Sequence, residues 1–130
     1  MILVIGGAAS GKHAYVQGLG YTEAQMWDAS SIADGRVEPL WGADPAEGFP
    51  VLLNLHALVF ADPEGAPQFY EALLAKEVIT CDEVGAGVIP ATRTERDARE
   101  ATGRLCNRLA AAAESVVRMS AGIPVVIKGK

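Results

Sequence analysis

The chain has 130 residues, half of them hydrophobic and 21% charged, with a formal charge of −5. That length suggests one domain spanning residues 1–130, with enough apolar material for a core that buries about two-thirds of the unfolded surface. The mild acidity argues against a general nucleic-acid or anionic-membrane binder, because both need a basic surface.

Met1 to Ile5 is a short apolar run ended by glycines and reads as a buried strand. It lacks a basic leader and is too short for a signal core. No stretch approaches the ~20 apolar residues of a membrane span. These features lead us to expect a soluble, cytoplasmic protein.

GGAASGKH follows at residues 6–13. Gly6, four residues, Gly11 and Lys12 have the spacing of a phosphate-binding loop, placed between a strand and a helix. Glycines let successive backbone N–H groups turn inward around phosphate oxygens, and a helix start adds positive potential. Lys12 adds a flexible cation. Gly6, Gly7, Ala8, Ala9, Ser10, Gly11, Lys12 and His13 are therefore candidate nucleotide contacts. The position after the lysine ordinarily carries a Ser or Thr hydroxyl for magnesium. Here it is His13, and imidazole is a poor magnesium ligand. His13 is either an altered metal or phosphate contact or an ordinary helix residue after that role was lost. The second reading is preferred, with Ser10 or a water able to reach a metal.

Residues 11–19 read as a helix ending near Gly18 and Gly20, and residues 24–28 as a short strand. Residues 33–50 are rich in Gly, Pro and acids and read as an irregular loop. Val51 to Leu55 is a further apolar strand, followed by a helix or turn through Phe60. Pro63 to Pro67 breaks the chain, Gln68 to Lys76 reads as a short helix, and Glu77 to Cys81 as a β-branched strand. Asp82 and Glu83 follow that strand, where open α/β sheets place ligands. They are the candidate metal ligands, and Asp28 could join them if its strand end faces the loop.

Thr92 to Val116 is the clearest helix. Ala98, Ala101, Leu105, Leu109, Ala112 and Val116 recur at steps of three and four, and Thr92 with Glu95 makes a capping-box pattern. Arg93, Arg96, Arg104 and Arg108 share one side of it, as phosphate contacts or as a solvated face with ion pairs such as Glu100 with Arg104. Val116 to Met119 and Val125 to Lys128 read as a C-terminal β-hairpin. Strands alternating with helices indicate an α/β fold with a mainly parallel sheet flanked by helices. Cys81 and Cys106 lack metal-ligand spacing and read as buried free thiols, which fits a reducing compartment. Trp27 and Trp41 read as packing residues before base-stacking ones.

Several blocks together resemble one family: MILVIGGAASGKH at the start, VITCDEVGAGVIP at 78–90, then Arg93, Arg96 and Arg99, GRLCNRLAAAAESV at 103–116, and SAGIPVVIK at 120–128. They are similar to the bifunctional adenosylcobinamide kinase / adenosylcobinamide-phosphate guanylyltransferases, the CobU family. The central block carries the match at Asp82, Glu83, Val84, Gly85, Gly87, Val88, Ile89 and Pro90, while the middle of the chain aligns poorly.

The resemblance implies a P-loop NTPase-like fold, GTP or ATP as bound nucleotide, magnesium as its metal, a cobinamide-type corrinoid as partner, and a homo-oligomer, usually a trimer. It extends the nucleotide contacts to Ala29, Ser30 and Ser31, and to Asp34 and Gly35 with Arg36 beside them. It also exposes departures. The family's guanylylated histidine precedes the Asp-Gly pair, and here Ser30, Ser31, Ile32 and Ala33 stand there. Asn54 occupies the place of the family's acid after the third strand. Ala9 replaces the loop arginine, and Cys106 takes the place of an asparagine. Covalent guanylyl transfer needs a nucleophile, and the only histidines are His13 and His56. His56 reads as a hydrogen-bonded residue. Nucleotide binding with an open kinase activity is one expectation. A degenerate binding or regulatory protein is the other. No catalytic residue is assigned.

Overall fold

The computed structural model describes residues 1–33, 46–83 and 92–129. Arg36, Trp41 and the block 84–91 lie outside the described residues, as do the expected contacts Asp34 and Gly35.

Among the described residues, six strands make one sheet. β1 (Ile2–Gly6), β2 (Met26–Asp28), β3 (Val51–Leu53), β4 (Val78–Asp82) and β5 (Ser115–Ser120) run parallel, and β6 (Ile123–Lys128) is antiparallel to β5. Their order across the sheet is β2-β3-β4-β1-β5-β6. The expected α/β architecture with a C-terminal hairpin is therefore present. β1 lies inside the sheet, paired with β4 and β5, so the loop that follows it emerges at the sheet's middle.

The strands alternate their side chains between two apolar layers, as the period of two demands. Leu3, Leu52, Ile79 and Val116 face one layer, and Val4, Val51, Leu53, Val78 and Val117 face the other. The first layer is covered by α2 (Leu55–Ala61), α3 (Tyr70–Leu74) and α4 (Arg93–Ala112), with Leu58, Leu73, Leu105 and Leu109 fully buried. The second is covered by α1 (Lys12–Gly18) through Val16. Trp27 packs against the first layer, in line with its reading as a packing residue.

Two boundaries differ from the expectation. α4 stops at Ala112, and Val116 lies in β5 opposite Leu3. Val116 fits the helical spacing of the residues before it, but Ala113 turns extended and the β-branched pair Val116–Val117 satisfies both sheet faces. At its other end α4 is capped by Thr92, whose Oγ1 accepts the Glu95 N–H at 3.1 Å. β3 ends at Leu53 because Asn54 adopts a left-handed conformation, φ 61°, which Asn tolerates better than most residues. It opens α2 directly, so Leu55 is helical rather than part of the strand.

The β5–β6 turn has Ala121 at φ 50° and Gly122 at φ 78°. Two left-handed residues are what a tight hairpin between twisted strands requires. Gly122 N–H donates to Ser10 O at 3.0 Å, so this turn braces the loop after β1. β6 is an edge strand with Ile123, Val125, Val126 and Ile127 all exposed.

Candidate nucleotide site

Four parallel strands end on the same side of the sheet. Their ends bring the 6–13 loop, Asp28, Asn54 and Asp82 around one open cleft of ≈ 390 Å³. Ala8 to His13 supply one wall, and Leu53, Thr80 and the three polar residues supply the other.

Two glycines shape the loop. A Cβ on Gly6 would sit 2.5 Å from Ser10 Oγ and 2.6 Å from Met119 O. Gly11 has φ +98°, and a Cβ there would meet Gly122 Cα at 3.2 Å. The loop is thus pressed against the β5–β6 turn, and side chains are excluded at both points.

Lys12 is only 6% exposed. Its Nζ donates to Gly7 O at 2.5 Å and to Gly6 O at 3.3 Å, with Ser10 Oγ at 3.4 Å. It also pairs with Asp82 Oδ1 at 2.8 Å. A desolvated cation needs such partners. Asp82 is placed there by register, since it lies opposite Gly6 on the neighbouring strand.

His56 completes this group. Its Nδ1 accepts the Asp82 backbone N–H at 3.1 Å, and its Nε2 lies 3.4 Å from Asp82 Oδ2. Because Nδ1 is an acceptor, the neutral ring carries its proton on Nε2, facing the carboxylate. Burial lowers the His56 pKa, and Lys12 adds to this against the opposing pull of Asp82. The expectation of a hydrogen-bonded histidine holds.

Asp28 sits across the cleft. Ser30 donates to its Oδ1 from both backbone N (2.9 Å) and Oγ (2.7 Å), and Asn54 Nδ2 donates at 2.8 Å. Burial alone would raise the Asp28 pKa, but these hydrogen bonds and the nearby His13 bring it below its ordinary value. Asn54 is itself held by Thr80, whose Oγ1 accepts the Asn54 N–H at 2.9 Å.

Of the expected nucleotide contacts, Ala8, Ala9, Ser10, Gly11, Lys12 and His13 line the cleft directly. Gly6 and Gly7 lie behind it, their carbonyls on Lys12. Ala29 is fully buried, and the hydroxyls of Ser30 and Ser31 are committed to Asp28. His13 is placed at the cleft, yet its Nε2 is 2.7 Å from Glu23 Oε1, which also accepts from Gln17. Of the candidate metal ligands, Asp82 lines the cleft, and Glu83 is paired with Arg118 at 2.7 Å. None of Arg93, Arg96, Arg104 and Arg108 lines it. Arg104 pairs with Glu100, and Arg108 stacks 4.0 Å over the Tyr70 ring, so these two serve the helix surface.

Asp28 and Asn54, both singled out in the sequence, stand at or just beyond the carboxyl end of a parallel strand, whereas Thr80, which the sequence did not single out, lies within β4. Magnesium takes hard oxygens, commonly one or two carboxylates plus the substrate's phosphates. Asp28 and Asp82 meet that description. His13 does not, because its Nε2 is held by Glu23.

Family comparison decides the lineage. The model of the family described as cobinamide kinase / cobinamide phosphate guanyltransferase, CobU, matches residues 62–127. The chain belongs to the CobU family. The bifunctional adenosylcobalamin biosynthesis protein CobU of Salmonella typhimurium strain LT2 is 46% identical over 54 residues. The Escherichia coli K12 protein of the same name is 44% identical over 54 residues. Each alignment spans 42% of this chain and 30% of the relative. The CobU match covers α3, β4, α4 and the hairpin, whereas the 6–13 loop precedes it, so the loop rests on its own geometry. Among the described residues, no helix is long and apolar enough to cross a membrane.

Proposed function

We propose that this CobU-family protein binds a purine nucleoside triphosphate, GTP or ATP, in the 6–13 loop and acts in cobalamin assembly on a cobinamide-type corrinoid. The observation that carries this reading is Lys12, a buried cation aimed at the cleft and held on Asp82. A triphosphate entering the cleft offers Lys12 stronger anionic partners than the loop carbonyls it now contacts. Asp28 and Asp82 would hold magnesium against the phosphates, and the metal would neutralise charge there. Phosphoryl transfer depends chiefly on such positioning and neutralisation. The names of the relatives support the corrinoid as acceptor.

Guanylyl transfer through a histidine is disfavoured. His13 Nε2 is engaged by Glu23, and both His56 nitrogens face Asp82, so His56 has no nitrogen free for a phosphate. The second reading, binding without turnover, draws support from Asn54, an amide where a metal-binding acid would stand. A cytoplasmic homo-oligomer, a trimer by family resemblance, is part of the proposal, with exposed β6 as its contact surface.

Calorimetric titration with GTP and ATP, with and without magnesium, tests it. Micromolar, magnesium-dependent binding supports the reading and leads to a cobinamide phosphorylation assay. Failure of both nucleotides to bind refutes it.

A further inference from the structure

The chain has two cysteines, and the fold brings them together from different elements. Cys81 on β4 and Cys106 on α4 share a thiol contact with Sγ–Sγ 3.2 Å. Both are free. Cys81 is fully buried. Cys106 is partly exposed and lines a second cleft of ≈ 230 Å³, which Asp82, Glu83, Thr102, Asn107 and Arg118 also line. One sulfur is therefore reachable by a small reagent, and the other stands behind it. A reachable thiol backed by a resolving thiol is the arrangement of redox-responsive pairs.

We propose that Cys81 and Cys106 form a reversible disulfide when a hydroperoxide enters the second cleft, and that closure repositions Asp82 at the phosphate site. The Cys106 thiolate attacks one peroxide oxygen and the O–O bond breaks. A sulfenic acid forms on Cys106, and the departing hydroxide takes up a proton to become water. The Cys81 sulfur then attacks the Cys106 sulfur. The S–S bond forms, the S–O bond breaks, and a second water leaves with the Cys81 proton. Two thiols and one hydrogen peroxide give one disulfide and two waters. A thiol reductant reverses it by exchange.

The consequence follows from chain geometry. Closing the sulfurs to a bond of about 2 Å draws the end of β4 and the facing turn of α4 together. The residue after Cys81 is Asp82, which holds Lys12 through its carboxylate and His56 through its backbone N–H. The nucleotide consequence rests on the proposed function, whereas the disulfide and its effect on His56 do not.

The full chain, treated with hydrogen peroxide, is mapped by non-reducing peptide mass spectrometry, and His56 is titrated by NMR before and after. The expected result is a Cys81–Cys106 cross-linked peptide reversed by dithiothreitol, a shifted His56 titration, and nucleotide affinity weakened about tenfold. The Cys81→Ser and Cys106→Ser variants should show no cross-link and no peroxide effect on His56. Sulfinic acid on Cys106 with Cys81 intact, cross-links only between chains, or no reaction would overturn the pair. A disulfide with an unchanged His56 titration would overturn the coupling to Asp82. If the reduced protein binds no nucleotide, the proposed function fails, and the cross-link and His56 still decide this inference.

Discussion

Lys12 Nζ lies 2.8 Å from Asp82 Oδ1, so the loop's only lysine is tied to the end of the adjacent strand before any ligand arrives. Two consequences follow from one contact. Lys12→Ala should weaken nucleotide binding about a hundredfold, the loss of one or two charge-assisted hydrogen bonds. It should also destabilise the fold by about 1–3 kcal/mol, because Asp82 is left with His56 alone. Adding Asp82→Asn should cost less than the sum of the two single changes. Urea midpoints for the four proteins of this cycle measure the coupling, and strict additivity would contradict the ion pair.

Asn54→Asp places a second carboxylate beside Asp28, where an amide now donates at 2.8 Å. In chelator the variant should lose about 1 kcal/mol from like-charge contact and the missing hydrogen bond. With magnesium it should regain that loss and bind the ion more tightly than the parent, since two hard oxygens then converge. Thermal unfolding with and without magnesium reads both effects. A variant indifferent to magnesium would remove Asp28 from the metal assignment.

Acid should destabilise the protein in two separate windows. His56 has a folded pKa below its free value of about 6.5, so the unfolded chain binds the proton first. Its contribution is fully present above pH 6.5 and declines as the pH falls from there to the folded value. Asp28 is also lowered. Its contribution is complete above the free carboxylate value of about 3.9 and disappears below it. Chemical denaturation across pH 4–7 should show a rise in stability with pH that His56→Gln abolishes. A parent protein flat over this range would contradict the burial of His56.

Gly6 and Gly7 are adjacent yet should respond with different magnitudes. A Cβ at Gly6 meets Ser10 Oγ and Met119 O below 3 Å, whereas one at Gly7 meets nothing within 4 Å. Gly6→Ala should cost about 1–3 kcal/mol through overpacking, and Gly7→Ala well under 1 kcal/mol. Paired denaturation curves separate the two, and equal losses would rule out the close approach to β5.

Much of this site was legible because it obeys local rules. Gly6, Gly11 and Lys12 announce a loop by spacing, Thr92 announces a cap, and Asp82 follows an obvious strand. What was not legible depends on register. His56 meets Asp82 only because the start of α2 lies beside the end of β4, and Asn54 meets Asp28 only because β2 pairs with β3. Ser30 and Ser31 look like ligand contacts in isolation, but the Asp28 carboxylate captures the Ser30 hydroxyl and the Asp28 backbone carbonyl the Ser31 hydroxyl before a ligand can. Val116 misled through degeneracy, since an apolar β-branched residue satisfies a helical stripe and a buried strand equally well.

The hydrogen bond from Gly122 to Ser10 has a bearing on biogenesis. A loop braced by a hairpin encoded so much later has no finished shape while the chain is still emerging from the ribosome. Lys12 can reach Asp82 once β4 is made, but the loop gains its brace only when β5 and β6 dock beside β1. Substitutions in the distant turn at Ala121 and Gly122 would thus be felt as a failure to mature rather than as a defect of the cleft itself.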